Sequence, residues 1–225
     1  MPDLNFQITG VEPATRGVVP LLVFNLDVTN TPAEEQIQSA TLQVQIQFEC
    51  PKRAYNGSEK EKLLDLFGEP ERWGQTLRNR LWTLATATLG SFSGTVRAHV
   101  PVPCTFDLNV SAAKYFYAIE EGDVPLLFLF SGTVFYSAQD GRLQAQRISH
   151  EKECYWRMPG QVWRDLMDHH WPNSAWIALH RDVFDRLCEF KRRNGLPTWE
   201  QTLERLLDGV EAPTPAEAAM LDILR

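Results

Sequence analysis

From Ala40 to Cys50 every second residue is apolar: Ala40, Leu42, Val44, Ile46, Phe48 and Cys50, with Thr41, glutamines and Glu49 between them. A period of two places these residues on one face of an extended strand. That face must be covered and the other can stay wet, so the pattern calls for a second layer packed on a sheet. Cys50 lies on the covered side and reads as a small core residue rather than a ligand.

Most of the first 157 residues read the same way. Further strand candidates are Leu4–Val11, Val18–Thr29, Thr95–Val102, Thr105–Val110, Lys114–Ile119, Val124–Ser137 and Arg142–His150. Asp140-Gly141 separates the last two and is a strong hairpin signal. Val19-Pro20-Leu21-Leu22 recurs as Val124-Pro125-Leu126-Leu127. Each copy is followed by a strand with a Leu-Gln-x-Gln core, Leu42–Gln45 and Leu143–Gln146. This faint repeat suggests two related hairpins on one sandwich.

Helical signals interrupt the strands once and then take over. Ser58-Glu59-Lys60-Glu61 reads as a capping box, Leu63, Leu64 and Phe67 as an apolar face, and Gly68 with Pro70 as a stop. A second helix is expected over Gln75–Thr88, with Leu77, Leu81, Leu84, Ala85 and Thr88 on one side. Beyond residue 157, helices are expected at Gly160–Trp171, His180–Asn194 and Trp199–Asp208. The second should turn Val183, Phe184, Leu187 and Cys188 inward. Gly195-Leu196-Pro197 makes the last two an αα-hairpin, and Thr198 to Gln201 is another capping box. Thr214-Pro215-Ala216-Glu217 would cap a final short helix. The expected fold is α+β: an antiparallel β-sandwich-like domain, residues 1–157, with a helical insertion at about 58–89. A helical region, 158–225, packs on it.

Charge and composition exclude several roles. The chain of 225 residues is 44% apolar with a formal charge of −7, which suits a packed protein rather than a disordered one. Both parts are mildly acidic, so no basic face offers itself to nucleic acid. The cluster Lys191-Arg192-Arg193 fits a helix C-terminus, where the dipole favours cations. The longest apolar runs, Val18–Phe24 and Val124–Phe130, are seven residues each, against the roughly 20 a spanning helix needs. The opening MPDLNFQITG has neither a basic nor an apolar leader region, so a cytoplasmic location without membrane insertion is expected. Cys50, Cys104, Cys154 and Cys188 are widely spaced and read as free thiols.

Catalytic signatures are sparse. There is no GxGxxG, GxxxxGK[ST] or HExxH, and Gly90-Ser91-Phe92-Ser93-Gly94 has Phe where a nucleophile elbow needs Ser. Asp165, Asp168, His169 and His170 cluster in sequence, but adjacent histidines on a helix point about 100° apart and cannot easily share an ion. Trp163, Leu166, Met167, His170 and Trp171 share the apolar side there, leaving Asp165 and His169 as an i,i+4 pair on the wet side. His180 beside Asp182 and Asp185 reads as a solvated helix start rather than a general base. Most of the seven tryptophans read as cement between sheet and helices. Trp171-Pro172-Asn173-Ser174-Ala175-Trp176 is the exception, a loop between helices. With His169 it makes the candidate partner-binding edge His169, Trp171 and Trp176. No catalytic, metal or cofactor residue is assigned.

Several stretches carry a resemblance. They are Leu63-Leu64-Asp65-Leu66-Phe67-Gly68-Glu69 with Arg72-Trp73-Gly74, Pro101-Val102-Pro103-Cys104-Thr105, Ala112-Ala113-Lys114-Tyr115-Phe116, Leu129 through Phe135, and Phe190-Lys191 through Leu196-Pro197-Thr198-Trp199. From about residue 4 to 208 the chain resembles an uncharacterised bacterial family, a domain of unknown function found in gene clusters for uptake-type nickel–iron hydrogenases. The resemblance implies a non-enzymatic accessory or scaffold role, with a hydrogenase subunit as the protein partner, and brings no catalytic residue with it. Handling nickel or iron needs clustered thiolates or imidazoles, and the sequence shows no such cluster. Two alternatives stand beside it. One is a peptide- or client-binding β protein with a chaperone-like role, acting through a sheet edge. The other is a hydrolase whose site assembles from distant residues such as Asp107, His150 and His180.

Overall fold

The computed structural model describes residues 1–14, 16–105, 110–138 and 141–211. Among the described residues eight strands form two antiparallel sheets, and with the helices beside them the fold is α+β. One sheet has β1 (Asp3–Pro13), β2 (Leu21–Thr31) and β5 (Thr95–Pro103) in the order β1-β2-β5. The other has β4 (Arg80–Leu89), β3 (Ile37–Phe48) and β6 (Asp123–Ser137), with β7 (Leu143–Arg147) and β8 (Glu153–Pro159) on the far side of β6. β7 pairs with residues 133–137 of β6 and β8 with residues 123–129, both antiparallel. They are two halves of one interrupted strand, so this sheet is four strands wide.

The alternation in the sequence becomes a buried layer. Leu22, Phe24, Leu26 and Val28 of β2 face Leu42, Val44, Ile46 and Phe48 of β3 and Leu126, Phe128 and Phe130 of β6. Aromatic rings join the sheets: Phe6 stacks on Phe130 at 4.3 Å, and Phe24 meets Phe128 edge-on at 5.2 Å. One end is closed by helices α4 (Val110–Ala118) and α5 (Gly160–His170). Phe116 of α4 packs edge-on to Phe48 and stacks on Trp163 of α5 at 4.9 Å. The thiols of Cys50 and Cys104 are inside, where burial pushes them up to about 11 and about 12. At neutral pH they are apolar filler, not nucleophiles.

The structure corrects four local expectations. Residues 80–89 are strand β4, not the second half of a helix, and the helical insertion ends with Thr76. Trp82 is an extra residue in the β3–β4 register, where Ile46 pairs with Thr83 and Gln47 with Leu81. That bulge shifts the phase by one, so Trp82 and Ala85 are both buried three residues apart, which imitates helical spacing. Residues 114–118 belong to helix α4, whose buried Tyr115 and Phe116 lie three and four residues after the buried Ala112. The insertion's capping box lies two residues earlier than expected, on Asn56 and Glu59. The repeated segments do not make equivalent hairpins, because β6 pairs with β7 while β2 and β3 lie in different sheets. The expected strand Thr105–Val110 and the capping box at Thr214 lie largely or wholly outside the described residues.

Backbone contacts divide the chain into two compact units, residues 1–175 and 176–225. Helix α5 therefore groups with the strands. The second unit is a hairpin of α6 (Arg181–Arg193) and α7 (Trp199–Glu211). Gly195 turns it with φ +63°, and Lys191 Nζ donates to the carbonyls of Leu196 and Pro197. Of the residues expected inward on α6, Leu187 and Cys188 are half-buried, but Val183 and Phe184 are exposed. Phe184 does meet Trp199 across the hairpin at 5.5 Å.

Candidate functional site

The helical insertion builds a groove of about 940 Å³. It comprises a turn at Cys50–Lys52, α1 (Gly57–Lys62), α2 (Leu64–Phe67), a turn at Pro70–Arg72 and α3 (Trp73–Thr76). Elements this short cannot hold themselves in place, since helix nucleation is unfavourable below a dozen or so residues. A buried ion pair anchors them instead. Arg53 donates to both Glu59 carboxylate oxygens, at 2.9 and 2.8 Å, and both side chains are less than a tenth exposed. Arg53 also donates to the carbonyls of Glu121 and Asp123, and Glu59 accepts the amides of Asn56 and Glu120. The pair thus ties α1 to the link between α4 and β6. Burial alone would raise the Glu59 carboxyl, but the Arg53 and amide hydrogen bonds hold it below its ordinary range.

At the surface of the same link, Glu120 accepts from Lys62 Nζ, Ser58 Oγ and Asn56 Nδ2. These contacts, Lys62 first, lower its carboxyl to about 2. Both carboxylates are depressed by folding, so their stabilisation is present above the unfolded carboxylate range and is lost as pH falls through the folded values. The urea midpoint is expected to drop steadily below about pH 4.5. Glu120→Gln should show a shallower drop. The same acid sensitivity in both proteins would refute the assignment.

The groove's walls carry Tyr55, Trp73 and Leu77, with Pro51 and Pro70 beside them. Each aromatic is fixed by its polar end. Tyr55 OH lies 3.0 Å from Tyr115 OH and donates to the Cys50 carbonyl, and Trp73 Nε1 donates to the Gly68 carbonyl at 2.8 Å. Burial pushes both phenols well above the ordinary tyrosine range, so neither exchanges protons near neutrality. Lys60 and Arg78 stand at the groove's margin, and a smaller hollow lined by Leu66, Phe67 and Arg80 continues from it past Leu77–Asn79. Preset aromatic surface with peripheral cations suits recognition of a ligand rather than bond-making.

The sequence-predicted edge falls on the end of α5 and the residues just after it. His169 is exposed near the end of α5, and Trp171 closes that helix, its amide donating to the Met167 carbonyl at 2.7 Å. Trp171 packs against the core cluster, as a wall residue would. Trp176 is the first residue of the second unit. His150 lines a shallow polar hollow with Arg147 and Ser131, His180 precedes α6, and Asp107 lies outside the described residues. Among the described residues no group of three His, Cys, Asp or Glu is placed to hold a metal ion, and no helix is long and apolar enough to cross a membrane. Sequence reading passed over Arg53, Tyr55, Lys60 and Arg78. The available signal was the alternation of basic and aromatic residues between Arg53 and Arg80, interrupted by too many turns to show a period.

Fold and groove together define a two-sheet α+β protein with an aromatic-walled groove on its helical insertion. The chain belongs to the family of unknown function DUF6084, which matches residues 1–215. A comparison with curated proteins finds no match. Among solved structures, the chain is similar to the CARDB domain of the PF1109 protein from Pyrococcus furiosus, solved with di-metal ions. Identity is 14% and the TM-score 0.27, covering 70% of this chain and 92% of that one. It is also similar to the putative ApaA protein from Bordetella pertussis, at 10% identity and TM-score 0.25, covering 70% and 94%. At these scores neither likeness bears on what the chain does.

Proposed function

We propose that this chain is a non-enzymatic accessory or scaffold protein that binds another protein through the groove of its helical insertion. The partner is a nickel–iron hydrogenase subunit, whose assembly or stability the chain assists in the cytoplasm. The observation that carries the binding role is the groove itself: rigid aromatic walls with cations at the margin, held on a β body by a buried ion pair. The hydrogenase part rests on the resemblance, and Trp73 and Gly74 of the groove belong to the stretches that carry it. Affinity purification from the native host during hydrogenase expression should recover hydrogenase subunits at near-stoichiometric yield. Deleting the gene should lower hydrogenase activity. Bait recovered alone, with full activity in the deletion strain, would defeat this reading.

A second reading is a client binder that adds extended segments to a sheet edge. It is favoured by β4, which among the described strands pairs only with β3 and exposes Leu81 and Leu84. That protein would instead recover many unrelated chains.

A further inference from the structure

The groove and the hollow beside it have no Asp or Glu in their walls, although acidic residues outnumber basic ones in the chain, 29 to 22. Glu69 and Glu71, the carboxylates flanking Pro70, are exposed and stand outside both walls. The positive residues are not equivalent. Arg53 is neutralised by Glu59, and Arg80 is spent on the Leu66 carbonyl and the face of Phe67. Lys60 and Arg78 are exposed, and among the described residues neither makes an ion pair, although Arg78 donates to the neighbouring Leu77 carbonyl at 2.9 Å. Two uncompensated cations therefore flank an aromatic and aliphatic trough on a protein that is negative as a whole. Such a local sign reversal attracts anions and repels the rest of a like-charged surface, which favours a specific orientation of approach.

We propose that the groove takes an acidic, extended segment of a protein partner. Its carboxylates pair with Lys60 and Arg78, and an apolar side chain between them rests against Trp73 and Leu77. The proposal rests on the protein-binding reading above and adds the chemistry of what is bound. A peptide is favoured over a small anion because about 940 Å³ of trough, with two prolines and two aromatics in its wall, offers more apolar surface than a lone phosphate or carboxylate could use.

The test is fluorescence anisotropy on the full chain, with a fluorescein-labelled peptide of about eight residues alternating Asp or Glu with Leu. Its counterpart carries Lys in place of each acid. The acidic peptide should bind, several-fold more weakly when salt is raised from about 50 to 300 mM. The lysine peptide should not bind. Lys60→Glu with Arg78→Glu should weaken binding at least tenfold, while Arg16→Glu with Arg147→Glu, which changes net charge equally at exposed residues that line neither the groove nor the hollow beside it, should leave it unchanged. Circular dichroism would confirm that both variants fold. Absence of binding, equal affinity for both peptides, or equal losses in the two double variants would each overturn the proposal. So would anionic lipid vesicles that compete for the site and themselves lose affinity in the Lys60/Arg78 variant, since the ligand would then be a membrane. Hydrogenase recovery in the purification above does not depend on this result. Recovery without peptide binding would place the contact elsewhere, and peptide binding without recovery would point to a different acidic partner.

Discussion

Glu59→Ala is expected to lower unfolding free energy by about 3–5 kcal/mol, the usual cost of leaving one member of a buried ion pair alone. The Arg53 guanidinium would stay inside with its main acceptor gone, and the amides of Asn56 and Glu120 would lose theirs. Desolvation of an uncompensated charge dominates that loss, so a neutral pair should be tolerated far better than a broken one. Arg53→Met with Glu59→Met should recover much of the stability, because two methionines fill comparable space without a charge to strand. Urea unfolding of the single and double variants measures both. A Glu59→Ala protein within about 1 kcal/mol of the parent would show that the pair is not the anchor inferred here.

Gly132→Ala is expected to cost about 2–4 kcal/mol, although it adds a single methyl. Gly132 has φ +139°, and a side chain there would run into the Thr41 carbonyl on β3, with the Leu42 Cα only 3.2 Å away. The obstacle is backbone of the central strand pair, so no rotamer change relieves it. The position also has a topological role. It lies where β6 passes from its β8 partner to its β7 partner, and its carbonyl accepts the Ile148 amide between those strands. Ser131→Ala next door is exposed and should change stability by under about 0.5 kcal/mol. Thermal melts of the two variants make the comparison. Equal melting points would show that β6 can relax around a side chain at 132.

Both variants probe features hidden from local reading. Glycine at 132 stands out only once β3 is known to lie against it. Ser58-x-x-Glu61 and Asn56-x-x-Glu59 are equally good capping patterns, and Arg53, which requires a carboxylate at 59, decides between them. Residues 80–89 show the same limit from the other side. One bulged residue, Trp82, shifts an alternating pattern toward helical spacing, and bulges answer to the partner strand rather than to their own sequence. For α4 the helical spacing of Ala112, Tyr115 and Phe116 is present in the sequence, but its aromatic residues suit a strand as well. Packing of Phe116 between Phe48 and Trp163 settles it as helix.

What the residues alone determine is the set of elements whose face pattern is long and unbroken: β1, β2, β3, β5 and β6, helix α5, and the α6–α7 hairpin with its Gly195 turn. There the local spacing runs long enough to choose strand or helix without a distant contact, even though Val183 and Phe184 of α6 stay exposed. The tertiary structure alone decides which strands share a sheet, where the ladder slips, and that Arg53, Tyr55, Lys60, Trp73 and Arg78 come together around one groove. Those outcomes depend on contacts between residues tens of positions apart, and the free energy of such contacts exists only once the chain has closed the loops between them.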